Sequence, residues 1–328
     1  MSDTRVLVVK LSSLGDLFHA LPAVHALKTG LDAQVDWVAH AQYRDLVACF
    51  DDVNRVIPFP RHAFVAGFPA FYRSLREREY DYLVDLQGLL KSALVLSLAR
   101  GGRRIGPSFH REGARLFYSA VAGPRRPNRH AVETNYDVVR FLDLAVRERE
   151  FPVSFPRMTL DEPGPRIALL PVSRWKTKNW PPRCFVEVGR RLQEVLGATV
   201  FLVGGPTDLA ACREIESGIE GRVVNLAGQL SLPESGGVLR EMDLLIANDS
   251  GPVHMAVAAG TRTLVVFGPT DPERTGPYGP GHRVVTASPR PCGPCFSRVC
   301  RRKGIPCLEG VTPEHVSEVA LEMLSQAS

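Results

Sequence analysis

The chain has 328 residues, of which 45% are hydrophobic and 23% are charged, as in an average soluble globular protein. This composition excludes disordered, collagen-like and disulfide-stapled classes. At roughly 100–200 residues per domain, the length favours two domains, with one large barrel as the main alternative. The longest nearly apolar stretch, Leu89–Ala99, is interrupted by Lys91 and falls short of the ~20 residues of a membrane-spanning helix. The apolar run Val6–Val9 is too short for a secretory signal, so a cytoplasmic enzyme or binding protein is expected.

The formal net charge, 40 basic minus 35 acidic residues, is +5, and it conceals one strongly basic segment. Between Arg100 and His130 stand eight arginines and the single acid Glu112, which gives this segment alone a charge of +7. Such a segment indicates an anionic partner: nucleic acid, an anionic membrane surface or a phosphorylated substrate. The alternative is an arginine-rich surface that is merely solvated.

In chain order, predicted strands alternate with predicted helices. The first half has strands at Arg5–Val9, Val35–Val38, Val53–Phe59 and Tyr82–Asp85, one helix that ends at Leu27, and one over Phe71–Glu79. After the proline-dense segment Phe151–Pro165 the alternation restarts, with strands at Arg166–Leu170, Thr199–Val203, Asp243–Ala247 and Thr263–Phe267, and helices at Cys184–Leu196, Asp208–Ser217 and Gly251–Ala259. This pattern predicts an α/β protein with two doubly wound parallel-sheet domains, residues 1–160 and 161–328.

Ligands of open parallel sheets bind beyond the carboxyl ends of the strands, so the turns that follow strands are the candidate sites. In the turn Ser12–Asp16, Gly15 permits a close backbone approach and Asp16 offers a carboxylate, although an Asp at this place is also a common helix cap. In the turn Asn248–His254, Ser250 suits an N-cap, and the helix start can bind a phosphate or simply be capped.

Two further turns complete the candidate set. The loop Pro171–Trp180 carries two lysines, an arginine and a serine, which suit a leaving diphosphate, or form a basic surface loop. The turn Gly204–Asp208 is a place where a nucleoside can lie. Neither the dinucleotide fingerprint G-x-G-x-x-G nor a P-loop occurs, so neither of those sites is supported.

Six segments, in their order and spacing, carry a resemblance to a known family: Val6–Pro22, Val35–Val38, Asp85–Ser92, Lys178–Pro181, Asn248–His254 and Phe267–Asp271. Together they resemble the family 9 glycosyltransferases, the lipopolysaccharide heptosyltransferase family. The resemblance implies a GT-B fold, two facing Rossmann-like domains with the active site in the cleft between them. It also implies an inverting transfer that requires no divalent metal.

The resemblance further implies the substrates. The N-terminal domain would receive the acceptor, the Kdo sugar of lipid A, and the C-terminal domain would hold the donor, ADP-L-glycero-D-manno-heptose. The basic segment would then face the carboxylates and phosphates of the acceptor and the anionic inner leaflet. A cytoplasmic protein associated peripherally with the inner membrane is expected, and nucleic acid is not expected as a partner.

Roles for individual residues also follow from the resemblance. Asp16 would be the catalytic base. The residues expected to bind the donor and its phosphates are Ser173, Lys178, Asp208, Asp249, Ser250, Gly251 and His254. The residues expected to bind the acceptor are Ser13, Gly15, Arg61, Lys91, Arg104 and Arg115.

Four of the seven cysteines cluster near the C-terminus with the spacing C-x₂-C-x₄-C-x₆-C: Cys292, Cys295, Cys300 and Cys307. This spacing suits a tetrahedral thiolate site for a structural Zn²⁺ or iron ion, with free thiols or a redox-formed disulfide as the alternative. A role in the transfer itself is not expected. Cys49, Cys184 and Cys212 are expected to be small buried hydrophobic residues.

Two other functions compete with the one implied by the resemblance. One is a transferase of the same family with another acceptor, either a heptose of the core or a protein side chain. The other is a non-catalytic protein that binds anions or nucleotides, because two α/β lobes also suit binding proteins.

Overall fold

The computed structural model describes residues 4–126, 128–146 and 148–326. The chain forms two compact units, Met1–Ser154 and Phe155–Ser328, and so divides inside the proline-dense segment. Each unit is a parallel sheet covered by helices, which confirms the predicted α/β class. No helix of the described residues combines the length and the apolar character that crossing a bilayer requires.

The described part of the first unit contains a six-stranded sheet with the strand order β3-β2-β1-β4-β5-β6. Its strands are β1 Arg5–Val9, β2 Gln34–His40, β3 Val53–Phe59, β4 Glu79–Asp85, β5 Arg100–Pro107 and β6 Ala120–Ala122. Its helices are α1 Leu14–Leu31, α2 Arg44–Val47, α3 Phe64–Arg76, α4 Leu90–Leu98, α5 Ala131–Asn135 and α6 Asp137–Phe141. Helices α3 and α4 bury their inner sides against β1 in one core cluster, whereas α1 packs against α5 and α6.

The described part of the second unit repeats this plan with the strand order β12-β11-β10-β7-β8-β9. Its strands are β7 Arg166–Leu170, β8 Thr199–Leu202, β9 Val223–Asn225, β10 Leu244–Asn248, β11 Thr263–Val266 and β12 Arg283–Val285. Its helices are α7 Pro182–Leu196, α8 Leu209–Gly218, α9 Leu232–Arg240, α10 Gly251–Ala258, α11 Pro272–Thr275, α12 Pro306–Glu309 and α13 Pro313–Ser325. Trp180 is buried and its indole N–H donates to the Val311 carbonyl (3.0 Å), which joins the loop before α7 to the segment before α13.

The predicted helix over Phe71–Glu79 is wrong at both ends. The helix begins at Phe64, and Glu79 is already the first residue of β4. The parallel pairing of Glu79 with Arg100 of β5 decides this boundary, because a ladder to a distant strand overrides the local helical pattern.

The basic segment Arg100–His130 supplies two strands of the sheet, and six of its eight arginines are exposed. It contains β5 and β6, which the sequence pattern did not predict as strands. Arg100 lies 3.7 Å from the carboxylate of Glu79, and the guanidinium of Arg103 lies 4.7 Å from the ring centre of Phe141. Arg129 forms a two-pronged ion pair with the buried Asp137 (2.6 and 2.8 Å). Part of the local positive charge is therefore neutralised within the first unit.

Candidate functional site

Asp16 lies in the first turn of α1, directly after the loop that follows β1. The backbone N–H and the hydroxyl of Ser13 both donate to Asp16 Oδ2 (2.8 and 2.9 Å), so this carboxylate closes the N-terminus of the helix. The side chain of Asp16 is nevertheless 43% exposed. The sequence offered a helix cap and an accessible carboxylate as alternatives for Asp16, and in the structure this residue is both.

The electrostatic surroundings keep the carboxylate of Asp16 ionised. Burial raises its pKa, but the contact with His19, whose Nδ1 lies 3.9 Å from Asp16 Oδ1, and the charge of Lys10 together outweigh burial. The pKa of Asp16 is therefore held well below its usual range. Lys10 is itself buried, with its ammonium donating to the Leu86 carbonyl (2.5 Å).

The loop after β4 fixes the turn that carries Asp16. The side-chain carbonyl of Gln87 accepts the backbone N–H groups of Leu11 and Ser12, both at 3.1 Å. Gln87 is held in turn by the buried carboxylate of Asp85, which accepts its N–H at 2.7 Å. The hydroxyls of Ser92 and Tyr118 complete the hydrogen bonding of Asp85 (2.8 and 2.7 Å). A chain of buried polar contacts thus runs from β4 to the turn before α1.

Two predicted acceptor residues lie near this edge of the sheet. Arg61 follows the end of β3, and Lys91 stands in the first turn of α4 with its ammonium 5.5 Å from the ring centre of Phe59. His40, the last residue of β2, packs its ring on the same Phe59 (5.5 Å), and neither ring nitrogen has a hydrogen-bond partner among the described residues. Burial, with the charges of Lys91, Arg61 and His62, lowers the pKa of His40 to about 4. This histidine is therefore a neutral group beside two cations.

The remaining predicted acceptor residues are placed differently. Gly15 is buried in the first turn of α1. Arg104 lies within β5, where its backbone N–H and the hydroxyl of Ser119 are hydrogen-bonded (2.9 Å), so it is not at the carboxyl end of its strand. Arg115 lies in the 3₁₀ turn Ala114–Phe117 and donates to the Tyr118 carbonyl (2.8 Å).

In the second unit, Lys178 and Asp249 form an ion pair with 2.6 Å between the ammonium and the carboxylate. The pair is largely buried, with the side chains 16% and 7% exposed. The hydroxyl of Thr270 donates to the same oxygen of Asp249 (2.5 Å). Asp249 therefore holds the ammonium of Lys178 in place. This ammonium lies 4.8 Å from the ring centre of Trp175.

Helix α10 starts beside this pair. Ser250 is its N-cap residue, and the hydroxyl oxygen of Ser250 is buried without a hydrogen-bond partner among the described residues. Gly251 and the buried His254 lie in the first turns. The side chain of Asn248, the last residue of β10, holds the loop Pro171–Trp180. It accepts a hydrogen bond from the backbone N–H of Trp180 (3.0 Å) and donates one to the Pro171 carbonyl (2.5 Å). A helix start with a buried, unsatisfied hydroxyl is suited to an anion.

Two predicted donor residues take local contacts. The hydroxyl of Ser173 donates to the Trp175 carbonyl (3.1 Å). Asp208 accepts the Gly205 N–H (2.8 Å) and the Thr207 hydroxyl (3.1 Å), so it shapes the loop after β8.

The cysteine segment packs beside these loops. The Ser297 carbonyl accepts from the Thr177 hydroxyl (2.8 Å), and the Phe296 N–H donates to the Pro269 carbonyl (2.9 Å). Burial and the neighbouring thiols raise the pKa of Cys307. Among the described residues, no group of three Cys, His, Asp or Glu side chains is arranged to hold a metal ion.

The three isolated cysteines differ among themselves. Cys184 and Cys212 are buried in the core of the second unit, as expected. Cys49 is only half-buried, and its thiol contacts the Asp45 carbonyl (3.3 Å).

Residues 69–305 match the model of glycosyltransferase family 9 (heptosyltransferase). The chain belongs to glycosyltransferase family 9. The matched range includes Lys178 and Asp249 but not Asp16. This family 9 chain is 31% identical to lipopolysaccharide heptosyltransferase 1 of Pseudomonas aeruginosa, with 90% of this chain and 87% of the relative covered. It is 27% identical to lipopolysaccharide heptosyltransferase 1 of Escherichia coli strain K12, with 86% and 93% covered.

A solved structure shares the whole fold. The E. coli heptosyltransferase WaaC with ADP matches with a TM-score of 0.79 at 26% identity, and the match covers 98% of this chain and 100% of that chain. The predicted family, the GT-B type of α/β fold and the glycosyltransferase class are therefore confirmed. The non-catalytic binding protein that competed with them is set aside.

Three residues that contact or support the candidate residues were not singled out from the sequence: Lys10, Gln87 and Thr270. All three stand inside segments that carried the resemblance, so a signal for them existed. Their partners lie 76 residues away for Gln87 and Leu11, and 21 residues away for Thr270 and Asp249. Pairings at such separations depend on strand order, which no local pattern encodes.

Proposed function

We propose that this family 9 glycosyltransferase moves L-glycero-D-manno-heptose from ADP-heptose to the Kdo sugar of lipid A, with inversion. The observation that carries the proposal is the partly exposed, ionised carboxylate of Asp16 in the first turn of α1. The buried Lys178 and the start of α10 supply, in the other unit, the positive potential that a departing diphosphate needs. Similarity to two heptosyltransferases that act on lipopolysaccharide supports the choice of substrates.

Asp16 acts as the general base. As the acceptor oxygen bonds to the anomeric carbon, its proton passes to the Asp16 carboxylate, and the bond from that carbon to the donor phosphate oxygen breaks with its electron pair leaving on ADP. The low pKa of Asp16 means that the carboxylate is always available but is a weak base. Proton transfer therefore accompanies bond formation, when the hydroxyl has become acidic. Such catalysis typically contributes ~10²–10⁴-fold.

Lys178, the Ser250 hydroxyl and the N–H groups at the start of α10 stabilise the charge that develops on the diphosphate. Asp249 is a positioning residue, because a carboxylate would repel the phosphates directly but holds the Lys178 ammonium at 2.6 Å. Ser173 and Asp208 shape the loops around the nucleotide, and Gly251 and His254 line the same helix start. These groups supply the positive charge without a catalytic metal.

The acceptor half uses Arg61 and Lys91, with Ser13 and Gly15 forming the turn that holds the base. An acidic sugar matches two cations beside the neutral His40, whose unpartnered nitrogens suit a sugar hydroxyl. Arg104 and Arg115 are more remote contributors to the positive potential. The lipid-borne acceptor would bring the protein to the inner face of the cytoplasmic membrane.

We also propose, from the cysteine spacing, that Cys292, Cys295, Cys300 and Cys307 take up a structural Zn²⁺ or iron ion. A bound ion would fix the segment that packs on Thr177 and Pro269. Metal analysis of protein purified without oxygen is expected to give about one ion per chain, lost in Cys295→Ser, with a Cys212→Ser variant as the control. Metal-free wild-type protein with four reduced thiols would contradict the proposal.

The substrate proposal predicts the outcome of an acceptor panel. Protein incubated with ADP-heptose is expected to label Kdo-terminated lipid A, but neither a heptose-terminated core nor a peptide, as measured by mass spectrometry. Labelling of the core heptose alone, or of the peptide alone, would instead support a family 9 transferase with another acceptor. If heptose is transferred to none of the Kdo acceptors, the proposed acceptor is wrong.

Asp16→Ala is expected to lower kcat by at least about 100-fold, because the general base is lost. ADP affinity, measured by calorimetry, is expected to stay within about twofold, since donor groups lie in the other unit. Asp45→Ala, an exposed acid in α2, is the matched control. Joint loss of turnover and ADP binding would mark Asp16 as structural.

Lys178→Ala is expected to raise the Kd for ADP by about 10–100-fold, because a charge-assisted hydrogen bond to phosphate is lost. Asp249→Asn should weaken binding less, and the double variant should bind as Lys178→Ala does, since Asp249 acts through Lys178. Lys176→Ala, an exposed lysine of the same turn, is the control. Strictly additive losses would contradict the positioning role.

A further inference from the structure

An exposed apolar surface lies on three neighbouring elements of the first unit: α3, α4 and the 3₁₀ turn Ala114–Phe117. Helix α3 packs on α4, and α4 packs on the turn. Of the large apolar side chains exposed in the described residues, most lie on these elements: Phe64, Val65, Tyr72, Leu90, Leu94 and Leu116. Val65 and Leu116 are 88% and 86% exposed. We call this surface the α3–α4 face.

Helices α3 and α4 expose these apolar side chains although each helix already buries other apolar side chains in the core. Helix α3 already buries Phe71 and Leu75 in the core, and α4 buries Ala93 and Leu96. A surface helix normally carries polar residues opposite its buried stripe. Helix α4, Leu90–Leu98, instead has one charged residue, Lys91, and is otherwise apolar apart from two serines. A helix that is apolar on both sides is typically covered by protein or lipid.

The charge around the α3–α4 face is predominantly positive. Residues 61–76, 90–98 and 110–117 contain six Arg or Lys residues and one acid: Arg61, Arg73, Arg76, Lys91, Arg111, Arg115 and Glu112. The carboxylate of Glu112 accepts a hydrogen bond from the Leu90 N–H at the start of α4 (3.3 Å). Arg76 lies 5.3 Å from the ring centre of Tyr72, so cations and aromatic rings are interleaved on the same surface.

A large exposed apolar patch marks contact with a protein or a membrane. The rim of cations favours an anionic lipid surface, because lipid phosphates complement the positive charge and the hydrocarbon boundary accepts the apolar side chains. Arg111 and Arg115 of the basic segment Arg100–His130 belong to this rim, whereas Arg129 is paired with the buried Asp137.

We propose that the α3–α4 face docks the protein on an anionic bilayer, with Val65, Leu94 and Leu116 entering the interface and the surrounding cations meeting lipid phosphates. The choice of a lipid partner rests on the proposed function, in which the acceptor is carried by a lipid. Docking through this face would hold Arg61 and Lys91, the acceptor residues, close to the membrane surface.

The test is sedimentation of the full chain with vesicles of phosphatidylcholine and phosphatidylglycerol, against vesicles of phosphatidylcholine alone. Wild-type protein is expected to bind the anionic vesicles preferentially. The vesicle partition coefficient is expected to fall by at least about tenfold in each of Val65→Asp, Leu94→Asp and Leu116→Asp. Each substitution places a charge where an apolar side chain would enter the bilayer. Val195→Asp on α7 is the matched control, since Val195 is 46% and Leu94 43% exposed.

Thermal unfolding and heptose transfer to a water-soluble, deacylated Kdo acceptor are measured on the same variants, and both are expected to match the wild type. Vesicle binding needs neither donor nor acceptor, so its outcome is separate from that of the proposed function. Wild-type vesicle binding by Val65→Asp and Leu116→Asp would overturn the proposal. Loss of self-association in these variants, with vesicle binding unchanged, would assign the face to a second copy of the chain instead.

Discussion

The ionised state of Asp16 is the constraint on which the rest of the site depends. The carboxylate accepts two hydrogen bonds from Ser13, faces His19 and lies in the field of the buried Lys10. A helix start built in this way keeps one carboxylate oxygen engaged while the side chain stays accessible. The turn needs a rigid support, which Gln87 provides through two backbone N–H groups and which Asp85 provides in turn to Gln87. The position of the Asp16 carboxylate is thus set by polar contacts that span the sheet.

The second unit holds positive charge beside the start of α10, where the proposed function places the departing diphosphate. A buried lysine is costly unless it is paired, and Asp249 with Thr270 supplies the pairing for Lys178. The unpartnered Ser250 hydroxyl stands at the helix start nearby. The cysteine segment packs on the loops that carry Lys178 and Thr270.

Much of this arrangement could be predicted from the sequence, because it depends on local patterns. After its first residue, the strand Arg5–Val9 is an unbroken apolar run, and the turns after strands made Asp16 and the start of α10 candidate positions. Contacts between distant residues could not be predicted. The contact of Gln87 with Leu11 joins residues 76 positions apart, and the strand β5 forms by pairing with β4 and β6 although its sequence is rich in arginine. In each case the deciding partner is set by the tertiary fold.

The central claim, that Asp16 remains an ionised carboxylate, is tested most directly by ¹³C NMR of the Asp16 side-chain carboxyl, assigned by comparison with Asp16→Asn. An unperturbed aspartate is half protonated near pH 3.9. Because the pKa of Asp16 is held well below this value, its carboxyl shift is expected to stay constant as the pH falls from about 8 to about 4. A titration midpoint at or above about pH 4 would contradict the account.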